Sequence, residues 1–129
     1  FFGSYLFHPG GAPKLPPVQN PGIDHIARLL HYEETKQDVW MVMEYGGATL
    51  TKTAYEIKGE FVRGERIYRV THLPLLRSMK ENPAILKEVL RQLLSGLCVM
   101  AEHHIVHSDV KPDNILVEED ERGWPKVRF

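Results

Sequence analysis

Several things are scarce in this 129-residue chain. It has one cysteine, Cys98, so no internal disulfide can form, and a reducing intracellular compartment, cytoplasmic or nuclear, is expected rather than secretion. No apolar run approaches the roughly 20 residues of a membrane span, and no charged-then-apolar leader opens the chain. Charge of one sign is also missing. The formal balance is −1, which removes the electrostatic reason to expect a nucleic acid or an anionic membrane as partner. What remains is one small globular unit with 43% hydrophobic residues, enough for an ordinary core.

Proline and glycine are concentrated at one end. Pro9-Gly10-Gly11, Pro13, Pro16-Pro17 and Pro21-Gly22 break up residues 1–22, which read as a loop or extended arm. Its Phe1, Phe2, Tyr5, Leu6 and Phe7 make it a candidate protein-docking segment. From residue 23 the pattern changes. A strand is expected over 26–32, a polar turn over 33–38, and a second strand over 39–44, closing a hairpin that ends at Glu44-Tyr45-Gly46-Gly47. Residues 48–81 read as an insertion holding a hairpin around Gly64, with mixed charge from Glu56, Lys58, Glu60, Glu65, Arg66 and Arg69. Its 55–70 stretch is the second candidate for a protein partner. Asn82-Pro83 then supplies an N-cap and a first-turn proline for a helix expected over 83–103. Leu86, Val89, Leu90, Leu93, Leu94, Leu97, Met100 and Ala101 follow at helical spacing and predict one wide core face, with Lys87, Glu88, Arg91, Gln92 and Ser95 lying elsewhere. Gly96, costly in a helix interior, predicts close packing.

The densest chemistry lies in His107-Ser108-Asp109-Val110-Lys111-Pro112-Asp113-Asn114, followed by apolar Ile115-Leu116-Val117. The spacing H-x-D-x-K-x-x-N puts a carboxylate, an ammonium and an amide oxygen on one short loop. Phosphoryl transfer needs those three groups: a base for a hydroxyl, a cation for the moving phosphoryl group, and a hard ligand for a metal ion. Five fixed identities should arise by chance about once in 10⁴ such chains. Two other readings are weaker. His103 and His107 stand four apart, as in a helical zinc pair, but no cysteine or further histidine follows. Asp109 and Asp113 have the makings of a hydrolytic carboxylate pair, but Lys111 between them argues for phosphate.

This stretch resembles the catalytic loop of the protein kinases, and the lysine two residues after the aspartate resembles the serine/threonine branch. The resemblance runs from about residue 20 to 129. It implies an α+β fold, part of an N-lobe sheet and hinge (23–47), the 48–81 insertion, and the start of a helical C-lobe (82–129). It further implies ATP and Mg²⁺ as cofactors and a protein substrate. Asp109 would be the catalytic base, Lys111 its partner on the phosphoryl group, and Asn114 a magnesium ligand. Met43 would be the hinge gatekeeper, with the Glu44 carbonyl and Gly46 N–H meeting adenine. His107 would be a structural histidine. A nearer likeness, of Glu44–Leu50 to the hinge of haspin-like kinases, stops at Lys111-Pro112-Asp113-Asn114.

There are departures from the pattern. Ser108 stands where the family has arginine, which removes a charged, bidentate partner for an activation-loop phosphate. The Gly-rich loop, strand lysine, helix glutamate, D-F-G and A-P-E segments are not found. The chain is therefore expected to be a piece of a kinase, inactive alone. The alternative is a kinase-like scaffold, favoured by the proline-rich start where the helix glutamate would lie.

Overall fold

The computed structural model describes residues 21–121 and 123–129. The arm at 1–20 lies outside them. The described residues fold as a mixed α+β unit with three small antiparallel sheets and three α-helices.

A 3-10 helix, Pro21–His25, leads to strand β1, Leu29–Glu34. The strand expected from 26 starts three residues late. The cause is a competing set of backbone bonds: Ala27 N–H donates to the Phe129 carbonyl at 2.7 Å, and Phe129 N–H donates to the His25 carbonyl at 3.0 Å. β1 pairs with β2, Val39–Met43, one residue short of its expected end, with a bulge between Leu29 and His31. The turn is closed by Thr35, whose N–H donates to the Asp38 carbonyl at 2.8 Å and whose hydroxyl accepts the Asp38 N–H at 3.0 Å.

The 48–81 region is richer than a hairpin. A two-residue strand β3, Ala48–Thr49, runs into helix α1, Leu50–Ala54. The hairpin around Gly64 is present and longer than expected: β4, Tyr55–Val62, pairs with β5, Glu65–His72, without a bulge. Its two-residue loop has Arg63 at φ 53° and Gly64 at φ 86°, the positive values a type I′ turn needs. Every residue of the hairpin except Tyr55 is exposed. Helix α2, Pro74–Glu81, follows. The sequence reading missed both short helices.

Helix α3, Pro83–Glu102, starts as expected: the Asn82 side chain accepts the Ala84 N–H at 3.1 Å. Its wide apolar face is not all core. Val89, Gln92, Gly96, Val99 and Met100 are buried, whereas Leu86, Leu90 and Leu94 are 44%, 49% and 61% exposed. Gln92, placed on the polar side from sequence, is only 6% exposed. Gly96 packs closely as expected: a Cβ there would lie 3.1 Å from the His25 carbonyl oxygen.

The chain closes with β6, Leu116–Glu119, and β7, Pro125–Arg128. β6 pairs with β3 on one side and β7 on the other. Met79, Val89, Ile115, Val117 and Val127 form the buried cluster between this sheet and helices α2 and α3.

Candidate active site

The loop between α3 and β6 begins at a sharp helix end. His104 has φ 56°, its N–H donates to the Ala101 carbonyl at 3.0 Å, and Ile105 N–H donates to the Met100 carbonyl at 2.8 Å. This is a Schellman motif with histidine where glycine is usual. Three residues on, His107 packs its ring on Phe129, with centroids 4.9 Å apart. Ser108 also takes a left-handed conformation, φ 56°, and Asp109 N–H folds back onto the His107 carbonyl at 2.8 Å. Pro112–Asn114 forms a 3-10 turn, with Asn114 N–H donating to the Lys111 carbonyl at 2.9 Å.

Two turns within a few residues bring the three loop candidates together. Lys111 Nζ lies 2.9 Å from Asp109 Oδ2, and Asn114 Nδ2 donates to the same oxygen at 2.7 Å and to the Asp109 carbonyl at 3.0 Å. Both side-chain contacts go to Oδ2, so among the described residues Oδ1 keeps its lone pairs open. The Lys111 donor first, and the Asn114 amide second, hold the Asp109 carboxyl below the usual carboxylate range, and the carboxylate raises Lys111 in turn. All three residues are exposed. Asn114 uses its amide nitrogen inward, so its oxygen is available to a hard cation. One such oxygen fits magnesium, which is bound by few protein ligands together with phosphates and water.

The second candidate group is at the end of β2. Glu44 N–H donates to the Arg28 carbonyl at 2.8 Å, which fixes the strand end. Met43 is 49% exposed, Tyr45 is 81% exposed, and Gly46 is buried. Gly47 has φ 92°, and a Cβ there would collide with the Val117 carbonyl, so this glycine is required twice over. The Glu44–Gly47 segment thus docks on β6, the strand that begins two residues after Asn114. Leu50 N–H donates to the Ile115 carbonyl at 2.7 Å and continues that contact. A cleft of about 470 Å³ lies elsewhere, lined by Asp24, His25, Glu88, Gln92, Asp120, Trp124, Pro125 and Lys126, and none of the candidate residues line it.

Sequence reasoning missed three supports. Gln92 joins α3 to β7, His25 Nδ1 lies 3.0 Å from the Val127 carbonyl oxygen, and Arg128 reaches beneath Gly46. No local pattern marks them, because each partner is at least 35 residues away in sequence or on another element.

The family model described as "Protein kinase domain" matches residues 18–128. Among curated proteins, the chain is 28% identical over 105 residues to a probable inactive protein kinase of Arabidopsis thaliana, covering 74% of this chain and 28% of the relative. It is 29% identical to the serine/threonine-protein kinase atg1 of Aspergillus oryzae, over 72% of the chain and 10% of that protein. It is 33% identical to sperm motility kinase 2A of Mus musculus, over 77% of the chain and 16% of that protein. The chain therefore spans less than a third of each of these relatives. No solved structure matches it.

Proposed function

The chain belongs to the protein kinase family, and from that premise we propose that it carries the base, the hinge and one metal ligand of a serine/threonine protein kinase. ATP and a protein hydroxyl are the substrates. The reading rests on one observation above all: Asp109 Oδ2 is held by both Lys111, at 2.9 Å, and Asn114, at 2.7 Å, on one exposed loop.

Asp109 orients a serine or threonine hydroxyl. The hydroxyl oxygen bonds to the γ-phosphorus, the bond to the β–γ bridging oxygen breaks, ADP leaves, and the proton passes to the Asp109 carboxylate. Lys111 is placed to neutralise charge on the transferring group. Mg²⁺, when bound with the phosphates, supplies charge neutralisation there, and the Asn114 oxygen would be its ligand from this chain. Met43, the Glu44 carbonyl and the Gly46 N–H meet the adenine. The protein partner surfaces are the 1–22 arm and the exposed 55–70 hairpin. None of the described helices is long and apolar enough to cross a membrane, and an intracellular site of action suits a kinase that uses ATP.

The chain by itself lacks the phosphate clamp and the D-F-G metal site, so the 129 residues alone should transfer no phosphate. Incubation with magnesium, labelled ATP and a generic protein substrate tests this. Transfer above an Asp109→Ala control would overturn the statement. A second reading, a kinase-like scaffold, is favoured by Ser108 in the arginine position and by the Arabidopsis relative's description as probably inactive. The whole protein decides between them: turnover that disappears in Asp109→Ala supports the enzyme, and no turnover in the wild type supports the scaffold.

A further inference from the structure

Arg128 is a buried cation that the transfer chemistry does not use. Its side chain is 7% exposed, and Nη2 lies 2.8 Å from Glu118 Oε1. Nε donates to the Asp24 carbonyl at 3.3 Å. Nη1 is buried and has no hydrogen-bond partner among the described residues. A dry, unpaired guanidinium N–H is unfavourable, and its persistence needs a reason.

Its position supplies one. Arg128 and Leu116 are direct cross-strand partners, so their side chains leave the sheet on the same face. Both reach beneath Gly46: a Cβ there would lie 2.9 Å from Leu116 Cδ1 and 3.4 Å from Arg128 Nη1. Gly46 is not among the positive-φ glycines, so packing against these two side chains rather than backbone conformation favours a glycine here. The ends of this segment are already fixed, by Glu44 on Arg28 and by β3 on β6. Arg128 supports the middle.

We propose that Arg128 is a positioning residue of the purine site. Anchored on Glu118 and on the 3-10 helix carbonyl of Asp24, its guanidinium braces the Gly46 peptide so that the N–H faces the purine acceptor. Nη1 has no accessible surface and cannot touch a ligand, so Arg128 acts through Gly46. Methionine would keep much of the packing and lose both anchors. Lysine would keep the charge without the fork. The proposal rests on the nucleotide reading above.

Adenosine offers an acceptor, N1, beside its amino group, and 1-deazaadenosine lacks that acceptor. Calorimetric titration of the full-length protein with each nucleoside isolates the Gly46 N–H contact. Thermal melts monitor the fold. The wild type should prefer adenosine about tenfold, and Arg128→Met should bring that preference close to unity by weakening adenosine alone. Arg128→Lys should fall between. Equal weakening of both ligands, or an unchanged preference, overturns the proposal. If Arg128→Met does not fold, Glu118→Gln replaces it, with a smaller drop in preference expected and an unchanged preference again overturning the proposal. A wild type that binds neither nucleoside refutes the nucleotide reading as well, which separates the two failures.

Discussion

The side-chain oxygen of Gln92 accepts the backbone N–H of Val127 at 2.8 Å, and its amide nitrogen donates to the Pro125 carbonyl at 3.0 Å. One amide thereby acts as a third strand along β7, at a point where Val127 is fully buried. The pairing fixes α3, which feeds the candidate loop, against the strand that carries Arg128. Gln92→Leu keeps the volume and strands both backbone groups. It should destabilise the fold by about 2–3 kcal/mol, because buried unpaired donors and acceptors bear their full desolvation penalty. Chemical denaturation of the two proteins measures this, and a loss below about 0.5 kcal/mol would show that water takes over the bonds.

That residue also shows where sequence reading stops. The clustering in the candidate loop was legible because it is local: Asp109, Lys111 and Asn114 sit within six residues, and two tight turns suffice to join them. The start of α3 was legible for the same reason, from Asn82-Pro83. Its buried face was not. Val89, Gln92, Gly96 and Val99 form the seam, and a count of apolar residues passes over the glutamine while it includes exposed Leu90 and Leu94; the glycine was legible only through its cost in a helix interior. Their burial depends on partners at residues 25 and 125–129, which no helical periodicity encodes. The late start of β1 has the same origin, since Phe129 captures the backbone of His25 and Ala27.

His104 holds a left-handed conformation, φ 56°, at the end of α3, where glycine has no Cβ penalty. His104→Gly should raise stability by about 0.5–1 kcal/mol, the relief of backbone strain being partly offset by the greater freedom of glycine in the unfolded chain. A thermal melt is the measurement, and a lowered melting temperature would mean that the histidine ring holds the loop.

Glu88 accepts two hydrogen bonds from Arg91, at 2.8 and 2.6 Å, and one from Gln92 at 2.9 Å. The Arg91 contact, with help from Gln92, lowers its carboxyl from 4.5 to about 2. A depressed folded value means the unfolded chain binds the proton first. The stabilisation is therefore complete above the unfolded value near 4.5 and is lost as pH falls through about 2. Arg91 is 55% exposed, so solvent screening holds the effect to about 1 kcal/mol or less. Glu88→Gln should be less stable than wild type at pH 6 and match it near pH 2. A difference unchanged between those two pH values would assign the loss to packing.

Asp109 should separate chemistry from binding in the whole protein. On the proposed reading the carboxylate acts on the hydroxyl nucleophile, whereas the adenine is held at Glu44 and Gly46 on another element. A group that acts mainly in the transition state lowers kcat with little change in nucleotide Kd. Asp109→Asn should therefore cut turnover by about 10²–10⁴-fold, the usual contribution of a positioned base, at nearly constant affinity. Ser108→Arg should leave the chemical step nearly unchanged, since the serine is not a transfer group. The pH profile tests the same assignment independently. The base must be ionised to work, and the Lys111 and Asn114 contacts hold its carboxyl below 3.8. The acid limb of kcat should accordingly lie below the usual carboxylate range. In Lys111→Met the stronger of the two contacts is gone, so the limb should move upward in pH as well as the rate falling. Full turnover in Asp109→Ala would remove the base from Asp109.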